Sequence, residues 1–185
     1  GTPTDCVVLA IEKIVGAKPD LLLSGINNGP NLGDDISYSG TVSAAIEATM
    51  YNIPAIAISH ESREITDYSI SEKIIRHLAL VTLKRGLPES TLVNVNIPDN
   101  PKGFKVTRQG KRLWKDSIRE VTDPFGTTCY WIGGGTPFGD SGRDTDVWAV
   151  SEKYVSITPI HLDQTNHEGI FLFKDVWNIE DDKIL

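Results

Sequence analysis

The chain has 185 residues, 39% of them apolar and 23% charged, enough for one good core in an ordinary soluble globular domain. Its net charge of −7 argues against a nucleic-acid polymer as partner, because backbone binding needs clustered Lys and Arg to displace counterions; one mononucleotide phosphate needs only a few local donors or a metal. Cys6 and Cys129 stand far apart with no CxxC spacing, and no apolar stretch approaches the ~20 residues of a membrane-spanning helix, so neither a disulfide framework, a cysteine zinc site nor a membrane is indicated and a reducing, cytoplasmic setting fits.

The opening "GTPTDCVVLAIEKIVG" predicts a helix capped by Thr2, with Pro3 at its first position and Asp5 as the acid of a capping box. Val7, Ala10, Ile11 and Ile14 fall on one face, Cys6 is expected to be a buried small hydrophobe, and Gly16 is the stop. A helix at the start of a sequence, followed by a buried strand, implies a strand ahead of it, so the chain is expected to be a fragment. "PDLLLSG" is a short apolar run of the kind buried on both faces of a parallel sheet, ending at Gly25. A polar loop follows, and "TVSAAIEATMY" then puts Val42, Ala45, Ile46 and Thr49 on a helical stripe. "IPAIAIS" is a second buried strand. Asp67 is expected to cap a helix carrying Ile70, Ile74, Leu78 and Val81 as far as Gly86, and "TLVNVNIP" is a third strand.

Alternating helices and strands predict right-handed crossovers and a mostly parallel, Rossmann-like sheet with flanking helices, an α/β core over residues 1–100 whose first strands are absent from the chain. Residues 101–160 read differently. "GFKVTRQG", "IREVT" and "CYWIG" are strands, the last two joined by Asp123-Pro124-Phe125-Gly126 into a β-hairpin extension; "GGGTPFGDSGRDTD" is a glycine-rich loop and "VSITPI" a returning strand. Residues 161–185 form a C-terminal arm whose helix "EGIFLFKDVWNI" is apolar enough to need a partner subunit over it.

The loop "SGINNGPNLGDDISYSGT", residues 24–41, holds three Asn, four Gly and two Asp with no Lys or Arg. It leaves the carboxyl end of a strand, where open parallel sheets bind ligands. Gly25, Gly29 and Gly33 let backbone approach a ligand, while Ser39, Gly40 and Thr41 occupy a helix N-terminus, whose free N–H groups and positive dipole end suit a phosphate. Without a Walker lysine the charge must be balanced otherwise, and a hard divalent cation is the natural candidate: Asn27 and Asn31 offer amide oxygens, Asp34 and Asp35 carboxylates.

The strings "GTPTDCV", "SGINNGPNLGDD", "YSGTVSAAIEA", "NVNIP" and "SITPI" closely resemble the SurE family, the survival-protein-E 5'/3'-nucleotidases, over essentially the whole chain. The resemblance implies a Rossmann-like, metal-dependent phosphomonoesterase using Mg²⁺ or Mn²⁺ on nucleoside 5'- and 3'-monophosphates, in some members on short polyphosphate, assembled as a homodimer or homotetramer. It implies that Asn27 is a metal ligand, that Asn27 and Asn31 act in catalysis, and that Asn31 with Ser39, Gly40 and Thr41 faces the phosphate. The family's acidic pair, at a strand ending Asn-Asp-Asp-Gly, and a further serine ligand do not occur here, so the remaining ligands are expected upstream of Gly1 and this chain alone is expected to be inactive. The rival reading is a non-catalytic phosphate-binding or oligomerisation module without a complete metal site.

Other residues have plainer expectations. Asp34 and Asp35 read as a solvated pair or local cap before they read as ligands. His60 reads as a satisfied polar side chain at a strand end, His77 as structural, and His161 and His167 around Asp163 as too loosely spaced for a metal. Arg108 and Arg112 are open between phosphate or base recognition and surface or interface roles. Trp114, Tyr130, Trp131 and Trp148 read as interface anchors in preference to base-stacking platforms.

Overall fold

The computed structural model describes residues 1–65, 67–115, 118–133, 135–139 and 142–177, with side chains apart from those of 136–138, 175 and 177. Helix α1 (Pro3–Leu9) starts as its sequence dictates: the Thr2 hydroxyl accepts from the Asp5 N–H at 3.3 Å and the Asp5 carboxylate accepts from the Thr2 N–H at 2.6 Å. It runs on into a π-helical turn, Ala10–Ile14, before Gly16 at φ +70 ends it. Val7 is buried and Ile11 packs on the same core, but Ile14 is 72% exposed, because the wider turn rotates it off the stripe. Cys6 is exposed, contrary to expectation; it lies about 100° around the helix from Val7.

Strand β1 (Leu22–Asn28) outlasts its apolar run and takes Gly25 through Asn28 into the sheet. A Cβ on Gly25 would collide with the Ile58 carbonyl oxygen, and its φ is +132, so glycine is what lets the neighbouring strand close up. The expected burial on both faces is only partial. Leu21 and Leu22 pack into the two cores, but Leu23 is 43% exposed because β1 is the rim strand of the sheet among the described residues.

Helix α2 (Gly40–Met50) presents Val42, Ala44, Ala45, Ala48 and Thr49 to the sheet, all buried, and the small alanines permit close approach. Strand β2 (Ala55–His60) is buried throughout. Asp67 accepts from the Ser69 N–H at 2.8 Å, one residue ahead of the Tyr68 cap of helix α3 (Ser69–Arg85), which Gly86 terminates. Its buried arc runs through Ser71, Ile74 and Thr82, with Leu78 packed beside them, while Ile70 and Val81 are exposed: two hydroxyl residues occupy places that an apolar pattern passes over. Strand β3 (Thr91–Ile97) completes the parallel set.

The remaining strands are β4 (Phe104–Val106), β5 (Leu113–Lys115), β6 (Ile118–Thr122), β7 (Thr128–Ile132), β8 (Thr136–Phe138) and β9 (Val155–His161). The main sheet has the order β1-β2-β3-β9-β4, parallel except where β9 lies antiparallel to β3. The expected hairpin is β6–β7, its turn closed by the Asp123 carboxylate, which accepts from the Phe125 and Thr127 N–H groups at 2.9 and 2.8 Å. The glycine-rich stretch is more than a loop: it supplies β8, paired with β5, and starts helix α4 (Asp146–Ser151), capped by Thr145. Helix α5 (His167–Trp177) exposes Phe171, Leu172 and Val176; the end of the expected helix, Asn178 and Ile179, lies outside the described residues.

Two cores flank the sheet. Ile56, Ile58, Val95, Ile97 and Val155 meet Ile74 of α3 on one face; Ala55, Ala57 and Leu92 meet α1 and α2 on the other. On this second face the amino-terminal half of β2 and β3 is apolar, but the carboxyl half is polar: Ser59, Asn94 and Asn96, with Ser156 and Thr158 of β9 in register, are all at most 1% exposed. Alternation in "LVNVNI" and "VSIT" sends branched apolar residues to α3 and amides and hydroxyls to the opposite side. Replacing Leu92, which is fully buried, with Ala should lower unfolding stability by about 2–5 kcal/mol with the urea m-value unchanged, as read from tryptophan fluorescence.

Candidate functional site

The loop after β1 folds down over this polar half of the sheet. Asn31, 8% exposed, donates its backbone N–H to Asn96 Oδ1 at 2.8 Å, and its carbonyl accepts from Asn94 Nδ2 at 2.9 Å and Asn96 Nδ2 at 3.0 Å. Its side chain donates through Nδ2 to Ser59 Oγ at 2.6 Å. An irregular loop buried like this has no ladder to satisfy its peptide groups, and the β3 amides take the ladder's place. Asn94 Oδ1 is buried with no partner among the described residues.

Asn27 sits at the end of β1 opposite Ser59 and is half-buried. Its Nδ2 donates to the Gly29 carbonyl at 2.7 Å, which turns Oδ1, the hard oxygen, away from that bond. One neutral amide oxygen fits a divalent cation as a single ligand. The acids do not add to it. Arg112 donates its backbone N–H to Asp34 Oδ2 at 2.9 Å and its guanidinium to Asp35 Oδ2 at 2.8 Å, and Trp114 Nε1 donates to Asp35 Oδ1 at 2.7 Å. The guanidinium carbon also lies 4.8 Å from the Trp114 ring centre. Asp34 and Asp35 are thus neither a solvated pair nor a helix cap but a latch for the 112–114 segment, and among the described residues no group of three His, Cys, Asp or Glu can hold a metal.

Ser39 begins α2, its hydroxyl accepting from the Val42 N–H at 3.1 Å. The Gly40 and Thr41 N–H groups are the orphan donors of the first turn and have no acceptor among the described residues, so the helix end can receive an anion. Glycine at position 40 is required by packing, since a Cβ there would lie 2.9 Å from Pro3 Cγ of α1. The structure brings Asn27 and Asn31 together around Ser59; Ser39 to Thr41 are joined to them through the 3-10 helix Gly33–Tyr38, not by a direct hydrogen bond.

Sequence reasoning missed Ser59, Asn94, Asn96 and Asp146. Asp146, fully buried, accepts from the Gly33 N–H at 2.9 Å and from the Gly110 and Val147 N–H groups at 2.8 Å, tying the loop, the 110 segment and α4 together. Gln109 Nε2 adds a bond to the Gly33 carbonyl at 3.0 Å. The alternation of Val and Asn in β3 was the available signal for the asparagines; Asp146, at a helix start in a glycine-rich stretch, gave none.

A cavity of about 620 Å³ opens beside Asn31, lined by Pro30, Leu32, Val147, Val150, Trp114 and the cations Arg63, Lys111 and Arg112. Glu61 on its wall is paired with Lys153 at 2.6 Å and Arg112 with Asp35, while Arg63 and Lys111 have no carboxylate partner among the described residues. The cavity is therefore locally positive in a chain of net charge −7.

The remaining candidates lie elsewhere. His60 is buried and its Nδ1 accepts from the Ser62 N–H at 3.1 Å, a satisfied side chain as expected. His77 is exposed beside the Phe104 ring, not inside the stripe. Arg108 pairs with Asp144 at 2.7 Å. Trp148 stacks on Tyr154 within the fold, whereas Tyr130 and Trp131 are 65% and 69% exposed on the hairpin. Asp163 accepts from His167 Nε2 at 2.7 Å and from the Thr165 N–H at 2.9 Å.

An open sheet with helices on both faces and an irregular loop beyond the carboxyl ends of its parallel strands defines a Rossmann-like α/β protein. Residues 1–116 match the family described as Survival protein SurE. The chain is 51% identical over 171 residues to a 5'-nucleotidase SurE of Pelotomaculum thermopropionicum, covering 91% of this chain and 65% of that protein. It is 48% identical to one from Pelobacter propionicus, covering 92% of this chain and 71% of that one. The crystal structure of the SurE protein from Aquifex aeolicus superposes with a TM-score of 0.81 at 46% identity, over 96% of this chain and 73% of that chain. The chain belongs to the SurE family and spans about two thirds to three quarters of the length of these relatives.

Two outcomes follow from this geometry. Asp146→Asn places an N–H₂ against backbone donors and should destabilise the fold by about 1–3 kcal/mol, with the Gly33 or Gly110 amide losing protection in hydrogen exchange. The Thr165 hydroxyl and N–H, with His167 beside them, hold the Asp163 carboxyl at about 2, below its ordinary 3.8. A depressed folded-state pKa means that the contribution of this turn is full above about pH 4 and fades as pH falls through about 2. Carbon NMR of the Asp163 carboxyl should titrate near 2, and nearer 3.8 in Thr165→Val.

Proposed function

We propose that this chain carries the phosphate-binding half of a nucleotidase active site, in a protein that hydrolyses nucleoside 5'- and 3'-monophosphates and, as a secondary substrate, short polyphosphate. What carries the reading is membership of the SurE family together with an intact Ser39-Gly40-Thr41 helix start beside the Asn27–Asn31 loop. The Gly40 and Thr41 N–H groups hold the nonbridging phosphoryl oxygens, Asn31 orients the group, and the cationic and apolar cavity by Trp114 receives the nucleoside. Asn27 Oδ1 would be one ligand of a Mg²⁺ or Mn²⁺ ion, and among the described residues no cluster of acids or histidines adds to it. When bound, the ion supplies Lewis acidity toward the phosphoryl group and the attacking water. Water forms the new P–O bond, the ester P–O bond breaks, and the nucleoside leaves as an alcohol after taking up a proton.

The same reading makes residues 101–160 and 161–185 extensions of the 1–100 core that assemble a cytoplasmic homodimer or homotetramer through the apolar surfaces of β6–β7 and α5. Among the described residues no helix is long and apolar enough to cross a membrane.

Whole protein should release phosphate from AMP with Mn²⁺ or Mg²⁺ and stop when a chelator is added. Asn27→Ala in that protein should raise the half-saturating metal concentration and lower turnover at least 10-fold; unchanged turnover across a metal titration removes Asn27 from the site. The 185 residues alone should hydrolyse AMP poorly at any metal concentration, and robust hydrolysis by them would relocate the metal ligands. Phosphate binding without hydrolysis in the whole protein would favour the non-catalytic module.

A further inference from the structure

We infer that Asn94, Asn96 and Ser59 are positioning residues for the phosphoryl group, acting through Asn31; this rests on the reading of Asn31 given above. Asn96 clasps one peptide unit on each side of the Asn31 α-carbon, accepting its N–H at 2.8 Å and donating to its carbonyl at 3.0 Å. Asn94 donates to the same carbonyl at 2.9 Å, and Ser59 Oγ receives the Asn31 side-chain Nδ2 at 2.6 Å. Every backbone polar atom of Asn31, and its side-chain donor, is therefore bonded to a group on β2 or β3 that is fully buried.

Burying amides in the middle of a sheet is costly unless they are satisfied, and packing alone would favour apolar residues here, as on the opposite face. Their arrangement makes sense as alignment. The Asn31 side chain directs one Nδ2 hydrogen to Ser59 Oγ, and its Oδ1 has no hydrogen-bond partner among the described residues, so the face that Asn31 offers to a ligand includes an acceptor. An acceptor next to a phosphate addresses a protonated phosphate oxygen, the attacking water or a ribose hydroxyl, and its angle is set by the sheet rather than by the loop. Strands hold such a group more tightly than loops do.

Asn96→Asp separates positioning from simple support. An ionised Asp faces the Asn31 carbonyl without a donor; a protonated Asp has the shape of Asn, supplies an O–H donor in place of the Asn96 N–H and keeps an acceptor for the Asn31 N–H. In whole protein, kcat of Asn96→Asp should fall at least 10-fold at neutral pH and recover relative to wild type as pH falls through the titration of the new carboxyl. Ser59→Ala is the mild companion: the fold should persist, kcat should fall about 10-fold and KM should change less than 3-fold. Without substrate, the Asn31 amide should be protected from hydrogen exchange in wild type and lose protection in Asn96→Ser. Inorganic phosphate, titrated calorimetrically, should bind Ser59→Ala more weakly than wild type.

Folded Ser59→Ala with wild-type kcat and phosphate affinity, or an Asn96→Asp pH profile parallel to wild type, overturns the inference. An inactive wild type instead removes the nucleotidase reading, and the exchange and phosphate measurements then still decide whether the asparagines control Asn31.

Discussion

A single clasp supports the site: the side chain of Asn96, buried in the sheet, bonded to both the N–H and the carbonyl of Asn31. Loops on protein surfaces satisfy their peptide groups with water, and a loop drawn down against a sheet loses that option. Here the sheet itself supplies the replacement. With Asn94 and Ser59 completing the set, the chain between β1 and α2 is held at the carboxyl end of β2 and β3, the place where a parallel sheet can offer a ligand both a strand end and a helix start.

Charge is distributed in keeping with that arrangement. The acids nearest the loop are committed to architecture: Asp35 to Arg112 and Trp114, Asp34 to the Arg112 peptide, and Asp146 to the Gly33 and Gly110 peptides. Asp146 is buried with three backbone N–H groups donating to its carboxyl oxygens, so its polar atoms are satisfied inside the fold. With the carboxylates so occupied, the groups left without protein partners around the loop are amide oxygens and the N–H donors of the α2 start, and the adjoining cavity keeps two cations without carboxylate partners among the described residues. An acidic chain thereby presents a locally attractive surface to an anion.

Much of this was legible from sequence where the information is local. The Thr2–Asp5 capping box, the helix start at Ser39-Gly40-Thr41, the burial of β2 and the Asp123 turn of the hairpin each depend on residues within a few positions of one another, and each forms as read. Errors arose where position on the fold decides exposure: Cys6 turned outward, Leu23 at the rim of the sheet, and an α3 stripe displaced onto Ser71 and Thr82. Propensity and periodicity report that a face exists, but not what lies against it.

The site divides along the same line. By itself, the sequence determined the family, the α/β class and the loop with Asn27, Asn31 and the Ser39-Gly40-Thr41 helix start, because a motif and a cap are contiguous in the chain. Only the tertiary structure decided that Asn94 and Asn96 seat the loop, that Asp34 and Asp35 are latches, and that Asp146 joins three segments. The bonds between these segments bridge 36 to 113 residues of chain, and which donor meets which acceptor across such a span is set by strand register and packing, not by neighbours in sequence.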